Sequence, residues 1–123
     1  MTSSVSHVKR AQKESLLLRE ISELFLRASL DDPGLQAVSI SRVALSPEKG
    51  ALTVYFYTDK GEEHFTHKIV PILTQYKPSL RKALAKGIRS RYTPELIFSF
   101  DTQLEKQLRI EHLIEKVKSE DLE

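Results

Sequence analysis

Apolar residues recur at spacings of three and four from Leu17 onward: Leu17, Ile21, Leu24, Phe25 and Ala28 form one stripe, and Glu14, Glu20, Glu23 and Arg27 fall largely off it. That period predicts an amphipathic helix over residues 6–29. It should stop at Asp31-Asp32-Pro33-Gly34, because proline disfavours helical geometry in the residue before it and glycine then permits a turn. The period next changes to two. Val38 and Ile40 alternate with polar residues, then Val43 and Leu45 resume the alternation one residue out of phase. A strand over 36–46 with a bulge near Ser41-Arg42 accounts for that shift. Pro47-Glu48-Lys49-Gly50 reads as a turn. A second strand over 51–58 follows, with Leu52, Val54 and Phe56 on one face and Thr53, Tyr55 and Tyr57 on the other, making a hairpin.

Beyond the loop at Asp59-Lys60-Gly61, residues 62–76 read as helical, with Phe65, Ile69, Val70, Ile72 and Leu73 as the apolar set and Pro71 as a point of bending or interruption. Pro78 marks a break, and proline suits the first turn of a new helix, expected over 78–90. Leu96 to Phe100 is a third strand. Asp101-Thr102 should cap a last helix, 103–118, whose face is Leu104, Leu108, Ile110, Leu113, Ile114 and Val117. The tail from Ser119 is acidic. Three strands covered on one face by helices predict an α+β, two-layer sandwich. Residues 1–118 are expected to form one domain and 119–123 a tail.

Composition narrows the classes. A chain of 123 residues, 40% hydrophobic and 29% charged, suits one soluble domain. It has no cysteine, so disulfides, thiolate metal sites and cysteine nucleophiles are excluded. No apolar run is long enough to span a bilayer. Met1-Thr2-Ser3-Ser4-Val5-Ser6-His7 lacks the basic start and apolar stretch of a secretory signal, and a cytoplasmic location is expected.

The net charge of +2 hides an uneven distribution. Between residues 77 and 91 lie Lys77, Arg81, Lys82, Lys86, Arg89 and Arg91, with no acid, and residues 1–13 carry Lys9, Arg10 and Lys13, again without an acid. On a wheel, Leu80, Ala83, Leu84, Gly87 and Ile88 share one side of the helix expected over 78–90, Lys82, Lys86 and Arg89 the other, and Arg81 the margin. The apolar side must be buried, so the cationic side faces outward as a ridge. A basic helix face is most often simply solvated. A run of fifteen residues without one carboxylate instead favours a polyanion, with arginines gripping phosphate oxygens in pairs and lysines acting as point charges. The RNA-binding candidates are Lys9, Arg10, Lys77, Arg81, Lys82, Lys86 and Arg89, with Ser79, Arg91 and Tyr92 as weaker ones.

Other chemistry finds little support. His64-x-x-His67 places two imidazoles on one helical face, but two histidines do not close a metal site. There is no Gly-x-Ser-x-Gly elbow and no glycine-rich phosphate loop. Asp31-Asp32 reads as a helix-end feature. Tyr55, Phe56 and Tyr57 suggest a stacking platform for bases, against the plainer reading that they cover the sheet. No catalytic residue, metal ligand or cofactor site is assigned.

The order of elements is similar to that of a type II KH domain. The stretch Leu80-Arg81, Leu84, Arg89-Ser90-Arg91-Tyr92-Thr93-Pro94-Glu95-Leu96-Ile97-Phe98, followed by Asp101, resembles the ribosome-binding factor A family, which carries an Arg-x-Arg-x-x-Pro-Glu-Leu-x-Phe segment and then an Asp. Glu20-Ile21, Asp32-Pro33, Val43-x-x-Ser46, Ala51-x-x-Val54-Tyr55 and Arg109-Ile110-x-x-Leu113-Ile114 fit as well, so the resemblance covers nearly the whole chain. It implies a KH-like fold (α-β-β-α-kink-α-β plus a C-terminal helix) without a Gly-x-x-Gly loop. It also implies binding to the small (30S) ribosomal subunit near the RNA of its neck and the 5′ region, and a non-enzymatic role in late maturation and 16S rRNA processing, linked to growth in the cold. The implied partners are the small subunit and its 16S rRNA, with ribosomal proteins as further candidates, no membrane, and a monomeric chain. The family usually has Ala-x-Gly at its helix–helix kink, where this chain reads Tyr76-Lys77-Pro78. An alternative is a protein-interaction adaptor that touches no RNA.

Overall fold

The computed structural model describes the backbone of residues 2–88 and 93–121 and the side chains of residues 8–88 and 93–121. Helix α1 (Thr2–Asp31) leads through a 3-10 turn (Pro33–Leu35) into β1 (Ser39–Ser46). A second 3-10 turn (Pro47–Lys49) joins it to β2 (Ala51–Tyr57). One turn of helix, α2 (Glu62–His64), a π-helical turn (Phe65–Ile69) and α3 (Val70–Ile88) follow, then β3 (Glu95–Phe100) and α4 (Thr102–Asp121). The sheet runs β1-β2-β3, with β1 antiparallel and β3 parallel to β2. A parallel neighbour cannot be reached by a tight turn, so the helical stretch of 62–88 is the crossover from β2 to β3.

The core forms where these elements meet. Leu17, Ile21 and Phe25 of α1, Leu73, Leu80 and Leu84 of α3, and Leu52, Val54, Phe56, Leu96 and Phe100 of the sheet are all buried. Phe56 lies at its centre, with Phe25, Phe65 and Phe98 at ring distances of 5.3–5.8 Å. The alternation read from the sequence holds in β2, where Leu52, Val54 and Phe56 are buried and Thr53, Tyr55 and Tyr57 half-buried. The bulge is present too: Ile40 pairs with Phe56 and Arg42 with Tyr55, which leaves Ser41 as the extra residue. In the following turn Gly50 takes φ 61°, the left-handed conformation that glycine adopts without steric cost. α1 ends with Asp32 accepting a hydrogen bond from Gly34 N at 3.0 Å, a local turn rather than a catalytic pair.

One expectation fails. The chain does not break at Pro78: α3 is a single helix from Val70 to Ile88 with this proline inside it. A proline in a helix interior costs about 3 kcal/mol through its lost N–H and ring clash. Burying Leu73, Leu80 and Leu84, which lie on both sides of it, contributes about 1.5–3 kcal/mol each. The packing therefore outweighs the local preference. The irregular turn sits upstream, where Val70 N bonds Phe65 O across five residues. It falls just before Pro71, which has no N–H to give to His67 O, and the wider turn relieves the crowding there.

Helix α4 departs from this body. None of its residues is buried. Ile110, Leu113, Ile114 and Val117 are each at least half exposed on one side of it. The helix also continues three residues past the expected end at Lys118.

Candidate nucleic-acid interface

α3 turns its two faces as the wheel required. Leu80 and Leu84 are buried against the sheet, and Lys82 and Lys86 are exposed on the far side, neither with an ion-pair partner among the described residues. Ser79 is exposed beside them. Arg89 and Arg91, with Ser90 and Tyr92, lie outside the described residues.

Lys77 and Arg81 behave differently from the uncompensated row expected of them. Both reach Glu95 at the start of β3: Lys77 Nζ lies 3.3 Å from Oε1 and an Arg81 terminal nitrogen 3.8 Å from Oε2. Arg81 also donates to the carbonyls of Pro94, at 3.1 Å, and Thr93, at 3.2 Å. Arg81 thus ties the segment entering β3 to α3. The stretch 77–91 contains no acid, but the parallel crossover brings one from outside it. Pairs this exposed contribute at most about 1 kcal/mol, so a phosphate can compete for either cation.

The other basic group lies on α1. Lys9, Arg10 and Lys13 line a cleft of about 730 Å³ opposite Leu45, the Pro47–Gly50 turn and Thr93-Pro94. Two hydrogen bonds fix its walls. Leu45 N donates to Glu14 Oε1 at 3.2 Å, joining α1 to β1, and Glu95 N donates to Gly50 O at 2.8 Å, joining the turn to β3. Thr93 also borders the hollow formed by Pro78, Arg81, Lys82 and Ala85. The two basic groups therefore flank the Thr93-Pro94 segment and share one side of the molecule.

Asp101 is more than the helix cap read from the sequence. Its Oδ1 accepts from Leu104 N at 3.0 Å, as an N-cap does. Its Oδ2 accepts from Ser41 Oγ at 2.7 Å and from Arg42 Nε at 3.1 Å. Burial by itself raises the pKa of this carboxyl; the hydrogen bonds from Ser41, Leu104 N–H and Arg42, with the charge of Arg42, outweigh that and hold it below the ordinary value. Adjacent strand residues normally point to opposite faces, and the bulge is what lets Ser41 and Arg42 reach the same carboxylate.

The aromatic residues of β2 are occupied within the fold. Phe56 is in the core, the Arg42 guanidinium lies 3.7 Å over the Tyr55 ring, and Tyr57 stacks on Phe100 at 5.9 Å. They form no free platform for bases. His64 and His67 have no third metal-ligating neighbour: no group of three histidine or acidic side chains suited to a metal occurs among the described residues.

A profile of the family described as ribosome-binding factor A matches residues 9–114. The chain belongs to the ribosome-binding factor A family. Ribosome-binding factor A of Geobacter metallireducens is 31% identical over 113 residues, covering 92% of this chain and 95% of that protein. The Halothermothrix orenii protein of the same description is 33% identical over 108 residues, covering 86% and 85%. The crystal structure of ribosome-binding factor A from Thermus thermophilus superposes with a TM-score of 0.62 at 30% identity, covering 74% of this chain and 93% of that one. The fold is accordingly KH-like, as the family's is. The matched range takes in Lys9, Arg10 and the whole of α3, and ends within α4.

Proposed function

We propose that this chain is a ribosome-binding factor that docks on the small (30S) ribosomal subunit through 16S rRNA and assists its late maturation. The observation that carries this reading is the pair Lys82 and Lys86, exposed and without ion-pair partners on the outer face of a helix whose inner face is locked into the core. Phosphates meet such a ridge with release of counterions, and the acids that border the hollow beside Lys86, Glu20 and Glu23 of α1, form no ion pair with it. Lys9 and Arg10 extend the basic surface from α1, Lys77, Ser79 and Arg81 border it on α3, and Arg89 and Arg91 continue it in sequence. Residues 1–118 act as one RNA-binding unit, with 119–123 as its acidic tail. The chain works in the cytoplasm as a monomer, without cofactor or catalysis, and supports 16S rRNA processing and growth in the cold.

The test is co-sedimentation with small subunits. Binding should fall steeply as salt rises, and a variant carrying Lys82→Glu, Lys86→Glu and Arg89→Glu should no longer co-sediment. Unchanged co-sedimentation of that variant overturns the reading.

One observation favours a contribution from a protein contact. The exposed apolar stripe of α4 suits a partner surface rather than RNA, and a ribosomal protein of the same subunit is the natural candidate. If that contact dominates, binding will be insensitive to salt and will survive neutralisation of α3.

A further inference from the structure

The cleft beneath the start of α1 has a composition that the ridge on α3 lacks. One wall is cationic, formed by Lys9, Arg10 and Lys13. The opposite side offers apolar surface chiefly from Leu45 and Pro47, since Pro94 at its edge is buried. No carboxylate lines it. Two acids beside it are engaged, since Glu14 accepts the Leu45 N–H and Glu95 holds Lys77 and Arg81, and Glu48 lies on the bordering turn without lining the cleft. Lys9, Arg10 and Lys13 have no ion-pair partner among the described residues. The cleft is also braced, since hydrogen bonds from Leu45 N and Glu95 N fix both sides of it.

The geometry points to a site for an unpaired nucleotide of RNA, with its base against Leu45 and Pro47 and its phosphates on Lys9, Arg10 and Lys13. A concave site with an apolar floor accepts a base only when that base is out of its stack. Paired bases in a duplex turn their faces to one another and present phosphates and 2′-hydroxyls instead. The ridge on α3 has a different character, since it offers charge to a backbone and the hollow beside Lys82, at about 420 Å³, is smaller than the cleft. The two surfaces, which meet at Thr93-Pro94, would then grip a junction where a duplex opens into a single strand. This inference rests on the RNA-binding reading above and adds the kind of RNA and the residues that select it.

Fluorescence anisotropy on the full chain separates the possibilities. The probes are a labelled oligouridylate, an oligomer of equal length lacking its bases, and an RNA duplex. The chains are the wild type, a cleft variant (Lys9→Gln, Arg10→Gln, Lys13→Gln) and a ridge variant (Lys82→Gln, Lys86→Gln). The wild type is expected to bind oligouridylate about tenfold more tightly than the baseless oligomer, the scale of one base contact. The cleft variant should lose more affinity for oligouridylate than for the duplex, and the ridge variant more for the duplex than for oligouridylate. Loss of three phosphate contacts should flatten the salt dependence on single strands by roughly 2 in log–log slope. Equal affinity of the wild type for both oligomers, or an equal loss on single strand and duplex in the cleft variant, overturns the inference and leaves the RNA-binding reading intact. No affinity of the wild type for any of the three RNAs overturns both.

Discussion

Ser41 Oγ donates a 2.7 Å hydrogen bond to Asp101 Oδ2 across sixty residues of sequence. This contact joins the bulged edge strand to the first turn of α4. The same carboxylate serves Arg42 and the Leu104 N–H, so one buried side chain holds a strand irregularity and a helix start in register.

Asp101→Asn should destabilise the fold by about 1–3 kcal/mol, because the amide cannot accept every donor the carboxylate satisfies. The sign with pH follows from the lowered pKa. A carboxyl with a depressed folded-state pKa stabilises fully above its unfolded value, near 4, and loses that contribution as pH falls through the folded value. Urea unfolding from neutral to strongly acidic pH should show this acid-side loss in the wild type. The Asn variant should lack that part of it. Identical pH profiles would remove Asp101 from the account.

Glu95→Gln should strengthen RNA binding a few-fold. The substitution frees Lys77 and removes the charge facing Arg81, which stays hydrogen-bonded to the Pro94 and Thr93 carbonyls, and stability should change by less than about 1 kcal/mol because these pairs are exposed. The affinity for small subunits and its salt dependence should both rise. An affinity that falls would show that Glu95 positions these cations for RNA rather than competing with it.

Pro78→Ala should raise thermal stability by about 1–3 kcal/mol, since the position is helical and alanine restores the missing N–H. Calorimetry measures this directly. A destabilised variant would mean that the proline ring is needed for Leu80 and Leu84 to seat.

Removing the chain beyond Lys106 keeps the Asp101 cap and deletes no buried residue among the described residues. The melting transition should therefore move by less than about 1 kcal/mol in equivalent stability, because surface changes away from packed groups are usually near neutral. A large loss would reveal packing of α4 on the body.

Much of the fold was legible because its signals are local. The phase shift between Ile40 and Val43 announced the bulge, Asp101-Thr102 announced a helix start, and Leu80 and Leu84 announced which side of α3 is buried. What escaped depends on distant partners. Pro78 stays helical because residues on both sides of it are buried, and no local rule weighs that. The pairing of Lys77 and Arg81 comes from a strand beyond the acid-free stretch. The cleft under α1 exists only once three separate parts of the chain meet, so Lys13 did not stand out among the basic residues.

The free-standing α4 also has a mechanical consequence. Val117 lies roughly 20 Å along the helix axis from its first turn. Any load taken up near Val117 acts on the root with that lever arm, and the root is Asp101, whose carboxylate is clasped by the edge of the sheet and whose N–H is held by Phe56 O. A push on the outrigger is thus felt first at Ser41 and Arg42, and tugging there strains the very strand that ends at the floor of the cleft.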